Sequence, residues 1–254
     1  TINCFTLLVC VSSISLDKEL SIVGGAIGYQ DTEILRNINL KIERGAWVGI
    51  LGPSGSGKSS LANVLIGLKP LTQGVLKVDD KELRGEQHHA WRDNIALVPQ
   101  DVYLLDATLR ENICFGSHKG DVDRETIARV CELADVHDFT DALPLGLNTK
   151  VGENGALLSG GQKQRVGFAR GLFVRRPVII LDEATSALDL ETEARILSRI
   201  KKMPEQPTVI MIAHRKEALK FCDVFLLVAD KTVRGYTSLE DCMPVLEAGR
   251  EGKL

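Results

Sequence analysis

The chemically most specific residues of this chain form a glycine-rich loop, GPSGSGKS, at positions 52–59, directly after the apolar run WVGIL. Its spacing satisfies the pattern G-x-x-x-x-G-K-[ST]. Glycines allow successive backbone N–H groups to turn toward one anion, and a helix that begins at the loop adds its positive end. In such a loop Lys58 reaches the β- and γ-phosphates and Ser59 offers its hydroxyl to Mg²⁺. The pattern therefore predicts a triphosphate site made by Gly52, Pro53, Ser54, Gly55, Ser56, Gly57, Lys58, Ser59 and Ser60.

A second reactive pattern is VIILDE at positions 178–183, where an apolar run ends in two carboxylates. Open α/β sheets bind ligands at the carboxyl ends of their strands. We therefore expect Asp182 to bind Mg²⁺, directly or through water. Glu183, one residue later, is placed to polarise a water for in-line attack on the γ-phosphorus. Alone, the acidic pair would be an ordinary strand end, and it is the glycine loop that favours the catalytic interpretation.

The elements that must position these residues are strands that alternate with helices. After the glycine loop a helix is predicted from Lys58 to about Leu68, because Pro70 cannot continue it. Alternating and continuous apolar runs predict strands at 21–28, 34–42, 47–51, 178–181, 208–213 and 224–228. Further helices are predicted at about 122–134, from Ser159, at 190–200 and at 216–222, with residues 101–170 mostly helical. This order predicts a parallel sheet covered by helices on both faces.

Composition excludes several classes of protein. The chain has 254 residues, of which 44% are apolar and 26% are charged, so disorder and a disulfide mini-protein are set aside. With 31 basic and 34 acidic residues the formal charge is −3, which gives no basic surface for nucleic acid. Six cysteines are scattered without a C-x-x-C pair and are interpreted as reduced thiols of a cytosolic domain.

The first residues, TINCFTLLVCVSSIS, are apolar but have no basic residue before Lys18, which argues against a secretory signal. No run reaches the roughly 18 consecutive apolar residues of a membrane-spanning helix. Residues 1–19 are therefore interpreted as a leader or as a linker from a preceding membrane domain, and both alternatives stay open.

Between the two reactive patterns lies LLSGGQKQR at positions 157–165. Ser159 can cap the helix that follows, and the two glycines allow backbone amides to approach an anion. With this segment the chain resembles the nucleotide-binding domain of ABC transporters. The resemblance covers about residues 20–241 and implies an α/β fold. Its parts would be a P-loop NTPase core with a mixed or parallel sheet, an N-terminal antiparallel β subdomain, a helical signature subdomain at about 101–170, and a C-terminal tail at 242–254.

The resemblance also implies roles for single residues. Gln100 matches the Q-loop glutamine, which contacts the metal and the attacking water, and His214 matches the switch histidine, which contacts the γ-phosphate. Tyr29 matches the aromatic residue that stacks on adenine, although an aromatic at a strand end is commonly part of a core. Asp189 belongs to the segment 186–189 that matches the D-loop, which meets the opposite subunit, and it is implied to contact the nucleotide there. The signature residues implied to bind a second nucleotide are Ser159, Gly160, Gly161 and Gln162.

Two further segments, 104–113 and 149–155, resemble elements of ABC exporters. The resemblance thus implies an ATP- and Mg²⁺-dependent ATPase that dimerises head to tail with a second such domain, with a homodimer expected. Its other partner would be the transmembrane domain of an exporter, at the cytoplasmic face of the inner or plasma membrane, and no nucleic acid is expected. A soluble ABC ATPase is the alternative, but the roughly 120 residues between Lys58 and Asp182 leave no room for a long coiled coil. Glu183 and His214 argue against a module that only binds nucleotide, and the LSGGQ segment argues against a kinase or GTPase.

Overall fold

The computed structural model describes residues 14–30, 32–116, 123–213 and 215–250, the last six of these by their backbone only. The predicted site residue His214, residues 1–13 of the predicted leader and the end of the predicted tail lie outside this range. So do Cys4 and Cys10, whereas the cysteines within it, Cys114, Cys131, Cys222 and Cys242, are free thiols.

The N-terminal sheet is antiparallel, as predicted. It contains β1 (Glu19–Tyr29), β2 (Thr32–Glu43), β4 (Gln73–Val78) and β5 (Lys81–Glu82) in the order β2-β1-β4-β5. The pairing of β1 with β2 shifts register around Gly25. A Cβ on Gly25 would lie 2.4 Å from Ile22 Cγ2, so the irregular part of the strand requires glycine.

The second sheet has six strands in the order β10-β9-β3-β8-β7-β6. Its members are β3 (Trp47–Leu51), β6 (Ile95–Val98), β7 (Val178–Asp182), β8 (Thr208–Ile212), β9 (Val224–Ala229) and β10 (Thr232–Tyr236). The first five of these pair in parallel, and only β10 is antiparallel to its neighbour. Because parallel strands end on one side, the residues after β3, β6, β7 and β8 share what we call the carboxyl edge.

The helices surround this sheet and confirm the α/β class. They are α1 (Lys58–Leu65), α2 (Gln87–Arg92), α3 (Leu109–Ile113), α4 (Arg124–Leu133), α5 (His137–Thr140), α6 (Gly160–Phe173), α7 (Leu190–Lys201), α8 (Lys216–Leu219) and α9 (Leu239–Arg250). Between residues 101 and 158 the helices are short and separated by irregular segments. Two 3₁₀ turns, Gly146–Asn148 and Glu153–Gly155, also lie in this region. None of the helices in the described part of the chain has the length and apolarity that crossing a bilayer requires.

Successive residues of the central strands face different cores. Trp47 and Leu51 pack with the helical subdomain, whereas Val48 and Ile50 pack with α1 and the antiparallel sheet. This alternation is the period of two that a strand imposes on its side chains. The sheet is therefore covered on both faces, as the continuous apolar runs predict. Ile14 and Leu16 also pack in the second core, so the packed part of the chain begins before β1.

Several predicted elements differ from the structure. The predicted end of the first helix at Leu68 is wrong, because Gly67 takes a left-handed φ of 77° and its N–H donates to the Val64 carbonyl at 2.8 Å. A glycine in this conformation ends a helix, so Pro70 is not needed to stop it. The helix predicted at 216–222 ends at Leu219. The sequence analysis also missed β4, β5, β6, β10 and α2, which are short.

Candidate functional site

The glycine loop at 52–59 joins the end of β3 to the start of α1, as predicted. Gly52, Gly55 and Gly57 have φ values of 151°, 76° and 104°, a region that side chains disfavour. A Cβ on Gly52 would lie 2.2 Å from the Val228 carbonyl oxygen of β9, and one on Gly57 would lie 2.9 Å from the side chain of Ile34. Neighbouring strands thus fix the loop so closely that two of its positions require glycine.

The N-terminus of α1 opens into this loop without a capping side chain. Gly57 occupies the N-cap, and no acidic residue lies in the first turn. The first N–H groups of a helix have no partners within the helix, so they remain available for an anion. Lys58 is only 7% exposed, and its Nζ donates to the carbonyls of Gly52 at 3.0 Å and Pro53 at 2.8 Å. The hydroxyl of Ser56 is buried without a partner, so the described loop holds a polar atom that a ligand could satisfy.

Opposite charges meet at the carboxyl edge beside the loop. Burial lowers the pKa of Lys58, and this effect is opposed by the carboxylates of Glu183 and Asp182. Burial raises the pKa of Asp182, the neighbouring Glu183 raises it further, and only Lys58 acts to lower it. The Asp182 carboxylate is therefore short of compensating positive charge, which suits a divalent cation.

Magnesium would have to be held by mixed donors here. Mg²⁺ is commonly bound by one or two carboxylates together with hydroxyl groups, waters and substrate phosphates. Among the described residues no group of three or more His, Cys, Asp or Glu could hold a metal alone. Asp182 ends β7, Gln100 lies two residues after β6, and Ser59 lies at the start of α1 after the loop that follows β3, so all three belong to segments at the carboxyl edge. Their donor set fits a magnesium ion that also binds phosphate.

Glu183 lies where β7 has just ended and adopts a left-handed φ of 49°. Its N–H donates to the Ile212 carbonyl of β8 at 3.0 Å. A residue with a side chain occupies this conformation only when its surroundings enforce it, and such residues concentrate at functional sites. The backbone thus turns at the predicted general base, between the two strands that border it.

Tyr29 lies at the end of β1 and is 64% exposed, so it is not a core residue. The Lys69 Nζ lies 5.7 Å from the centroid of its ring. An exposed ring at this place can stack on a flat base, as the resemblance implies.

The signature segment forms the other helix N-terminus of interest. Ser159 caps α6: its Oγ accepts the Gln162 N–H at 3.3 Å, and the Gln162 side chain accepts the Ser159 N–H at 2.9 Å. Ser159 and Gly160 are exposed, and Leu157 beside them is 74% exposed. A Cβ on Gly161 would lie 3.1 Å from the Ala187 carbonyl oxygen, so only a small residue fits there comfortably. The second anion site predicted from sequence thus faces away from the core.

Asp189 ends the segment 186–189 and caps α7 by accepting the Thr192 N–H at 2.9 Å. This hydrogen bond, with a second one from the Thr192 side chain, lowers the pKa of Asp189. Its carboxylate thus has a structural role besides the nucleotide contact that the resemblance implies.

The two exporter-like segments lie against each other. Thr108 and Lys150 form an isolated antiparallel bridge, and the Leu109 N–H donates to the Thr149 carbonyl at 3.0 Å. Tyr103 beside this bridge is 63% exposed and Leu105 is 39% exposed. The predicted contact segments thus form one surface with exposed apolar side chains.

The sequence analysis missed two side chains that join the predicted motifs. Gln164 of α6 contacts both the Gln100 carbonyl and the segment 186–189, and Arg215 also contacts that segment. Gln164 is 3% exposed, but this burial follows from the fold, so no sequence signal marks it. No local pattern marks Arg215.

Comparisons with known proteins agree on one family. The family model described as ABC transporter matches residues 35–186. The ATP-dependent lipid A-core flippase of Idiomarina loihiensis is 40% identical over 227 residues, which are 85% of this chain and 39% of that protein. The flippase of Escherichia coli K12 is 39% identical over 204 residues, or 80% of this chain and 35% of that protein.

A solved structure described as a bacterial Atm1-family ABC exporter with ATP bound superposes with a TM-score of 0.85 at 32% identity. The superposed region covers 95% of this chain and 43% of the exporter chain. The chain thus spans less than half the length of each of these relatives.

Proposed function

This chain belongs to the ABC transporter family, and on that premise we propose that it is the ATP-binding and ATP-hydrolysing motor domain of an exporter. The observation that carries the proposal is the uncapped N-terminus of α1, which opens on a buried lysine inside a loop that requires glycine. Such a terminus is suited to a triphosphate. The names of the relatives, a lipid A-core flippase and an Atm1-family exporter, favour transport over the soluble alternative.

In the proposed reaction Lys58 and the first N–H groups of α1 hold the β- and γ-phosphates, and Tyr29 stacks on adenine. Glu183 accepts a proton from the water that attacks the γ-phosphorus, and Gln100 and His214 orient that water and the phosphate. Mg²⁺, which Ser59, Asp182 and Gln100 would hold, neutralises negative charge on the phosphates when bound. Burial raises the pKa of Asp182, and the positive charge of the ion would lower it again.

The exposed position of the signature helix supports a dimer around ATP. Ser159 and the N–H groups of Gly160 and Gly161 would bind the γ-phosphate of a nucleotide held by a second copy. Asp189 would contact the same nucleotide where its segment meets the second copy. Each chain thus supplies one half of each of two sites. Loss of the γ-phosphate would remove the shared contacts and separate the two copies.

A membrane partner is the remaining part of the proposal. The surface made by residues 104–113 and 149–155 presents Leu105 to solvent, with Tyr103 exposed just before it in the chain, and would dock on the transmembrane domain. In that arrangement the chain would lie at the cytoplasmic face of a membrane. Closing and opening of the ATPase dimer would then drive export or flipping of a substrate.

Phosphate release by the full-length protein tests this function. We expect Mg²⁺-dependent ATP hydrolysis that falls on the order of 100-fold or more in Glu183→Gln, because the general base is lost. The variant should still bind ATP and sediment as an ATP-dependent dimer. Glu191→Gln, an exposed glutamate in the first turn of α7, is the matched control and should hydrolyse ATP normally. Full hydrolysis by Glu183→Gln, or no dimer at high concentration, would contradict the proposal.

A further inference from the structure

The loop between β7 and α7, residues 183–189, is held by hydrogen bonds from two distant side chains. Within the loop the Ser186 N–H donates to the Glu183 carbonyl at 3.1 Å, and the Leu188 N–H donates to the Thr185 carbonyl at 3.0 Å. The first of these hydrogen bonds connects Ser186 directly to the backbone of Glu183, and the second connects Leu188 to Thr185. Whatever fixes residues 186–188 therefore also fixes the general base proposed above.

Gln164 of α6 holds the loop from the helical subdomain. Its side chain is 3% exposed, and its Oε1 accepts the Ala187 N–H at 2.9 Å. Its Nε2 donates to the Ser186 Oγ at 3.1 Å and lies 3.4 Å from the Gln100 carbonyl oxygen. One buried amide thus joins the signature helix, the loop and Gln100, which lies two residues after β6.

Arg215 holds the same loop through its backbone carbonyls. Its Nη1 donates to the Leu188 carbonyl and its Nη2 to the Ser186 carbonyl, both at 2.8 Å. The planar guanidinium fork can reach two carbonyl groups at a fixed spacing, which a lysine ammonium does less well. Together the two side chains hold three successive residues of the loop.

This double support matters because Glu183 is in an unfavourable backbone conformation. Its φ of 49° persists only where surrounding contacts enforce it. The Ile212 carbonyl fixes its N–H at one end, and the loop contacts fix its carbonyl at the other. A change in position of about 1 Å at a reacting group can lower the rate of a reaction on the order of 100-fold.

We propose that Gln164 and Arg215 are positioning residues that hold the loop 183–189, and through it the Glu183 carboxylate, in place for attack on the nucleotide. The proposal rests on the hydrolytic function proposed above. Neither residue belongs to the groups proposed to hold ATP, namely the glycine loop at 52–59 and the ring of Tyr29, so ATP binding should not depend on them. Their contribution should therefore appear in kcat and not in KM.

The test uses Gln164→Met and Arg215→Met in the full-length protein. Each should lower kcat about 10-fold, with KM for ATP changed less than about 2-fold. The double variant should be little worse than either single one, because both side chains support the same loop. Arg215→Lys should recover only part of the activity.

Arg195→Met is the matched control. The Arg195 guanidinium pairs with Asp135 at 2.6 Å, so its loss removes an equally well-paired arginine at another place. It should lower the melting temperature while kcat stays within about 2-fold.

Four outcomes separate the two proposals. A fall in kcat with unchanged KM in the test variants only would support the positioning role. Normal kcat in both test variants, with an active wild type, would overturn it. An equal fall in Arg195→Met would also overturn it, because loss of stability would then explain the result. A wild-type protein that binds no ATP and releases no phosphate would instead contradict the proposed function.

Discussion

Two helix N-termini of this molecule follow glycine-containing segments, and their surroundings differ. At α1 the N-cap is Gly57, whose backbone is left-handed, and no side chain caps the helix. At α6 the N-cap is Ser159, and a reciprocal pair of hydrogen bonds with Gln162 satisfies the helix end. The first terminus lies beside a lysine that is 7% exposed, whereas the second lies at the surface.

This difference favours different roles for the two N-termini in binding an anion. The α1 terminus leaves its N–H groups unpaired and adds a buried positive charge, so it can bind an anion with residues of this chain alone. The α6 terminus is already satisfied by its own capping box, so it is stable without a ligand. Its exposed glycine amides have room for an anion brought by another molecule. Under the proposed function the α1 terminus thus binds the nucleotide of its own chain, and the α6 terminus completes the site of a second copy.

The largest effect should come from removing the positive charge at the first terminus. We expect Lys58→Ala to weaken ATP binding about 100-fold, because a buried hydrogen-bonded charge pair is lost. Titration with a fluorescent ATP analogue measures this, with the exposed Lys202→Ala as control. Equal affinities would show that α1 is not the phosphate site.

A smaller loss is expected at the base-binding side of the same site. Tyr29→Ala should weaken ATP binding about 10-fold, since base stacking on an aromatic ring contributes about 1 to 3 kcal/mol. Tyr29→Phe keeps the ring and should bind ATP nearly as well as the wild type. If Tyr29→Phe bound ATP as weakly as Tyr29→Ala, the hydroxyl group and not stacking of the ring would be responsible for the affinity.

Substitutions of Ser159 can distinguish two roles of the α6 N-terminus, the helix cap and the proposed anion site. Ser159→Ala loses the cap and should lower the free energy of unfolding by about 1 kcal/mol. Ser159→Asp keeps the cap but places a negative charge against the incoming phosphate. We expect it to melt like the wild type, bind ATP normally and hydrolyse ATP about 5-fold more slowly. Normal hydrolysis by Ser159→Asp would remove the α6 terminus from the reaction.

The smallest effect concerns pH. Burial lowers the pKa of Lys58 from 10.5, so above that lowered pKa the unfolded chain binds more protons, and stability rises with pH up to 10.5. Bound phosphates favour the charged amine and raise its pKa again. ATP binding should therefore take up protons at pH values between the lowered pKa and 10.5, and affinity should fall as the pH rises through that range. Calorimetry in two buffers of different ionisation enthalpy measures the uptake, which Lys58→Arg should abolish.

Much of the framework could be predicted from sequence. The strand before the glycine loop was predicted at 47–51 and is β3, and the helix after it begins at Lys58 as predicted. The apolar runs at 178–181 and 224–228 were predicted within one residue of their strands. These features depend on local rules, namely the period of two in strands, the φ range of glycine and the capping of helices.

The elements that were missed have weaker local patterns. β6 has four residues, and β5 has two, so neither gives a periodic signal. The first helix ends where Gly67 turns left-handed, and Pro70 three residues later was the more visible signal. The domain limits and the roles of single site residues stay predictions, as does the part played by His214.

Sequence alone predicted which residues would bind a triphosphate, because that chemistry requires particular residue types at close spacing along the chain. Tertiary structure decided what surrounds them. The β9 carbonyl that makes glycine necessary at position 52 comes from residue 228, and the loop 183–189 is held by residues 164 and 215. Such contacts arise from the order of strands and the packing of helices on the sheet. No residue pattern near Gly52 or Glu183 contains that information, because the partners are brought together only by folding.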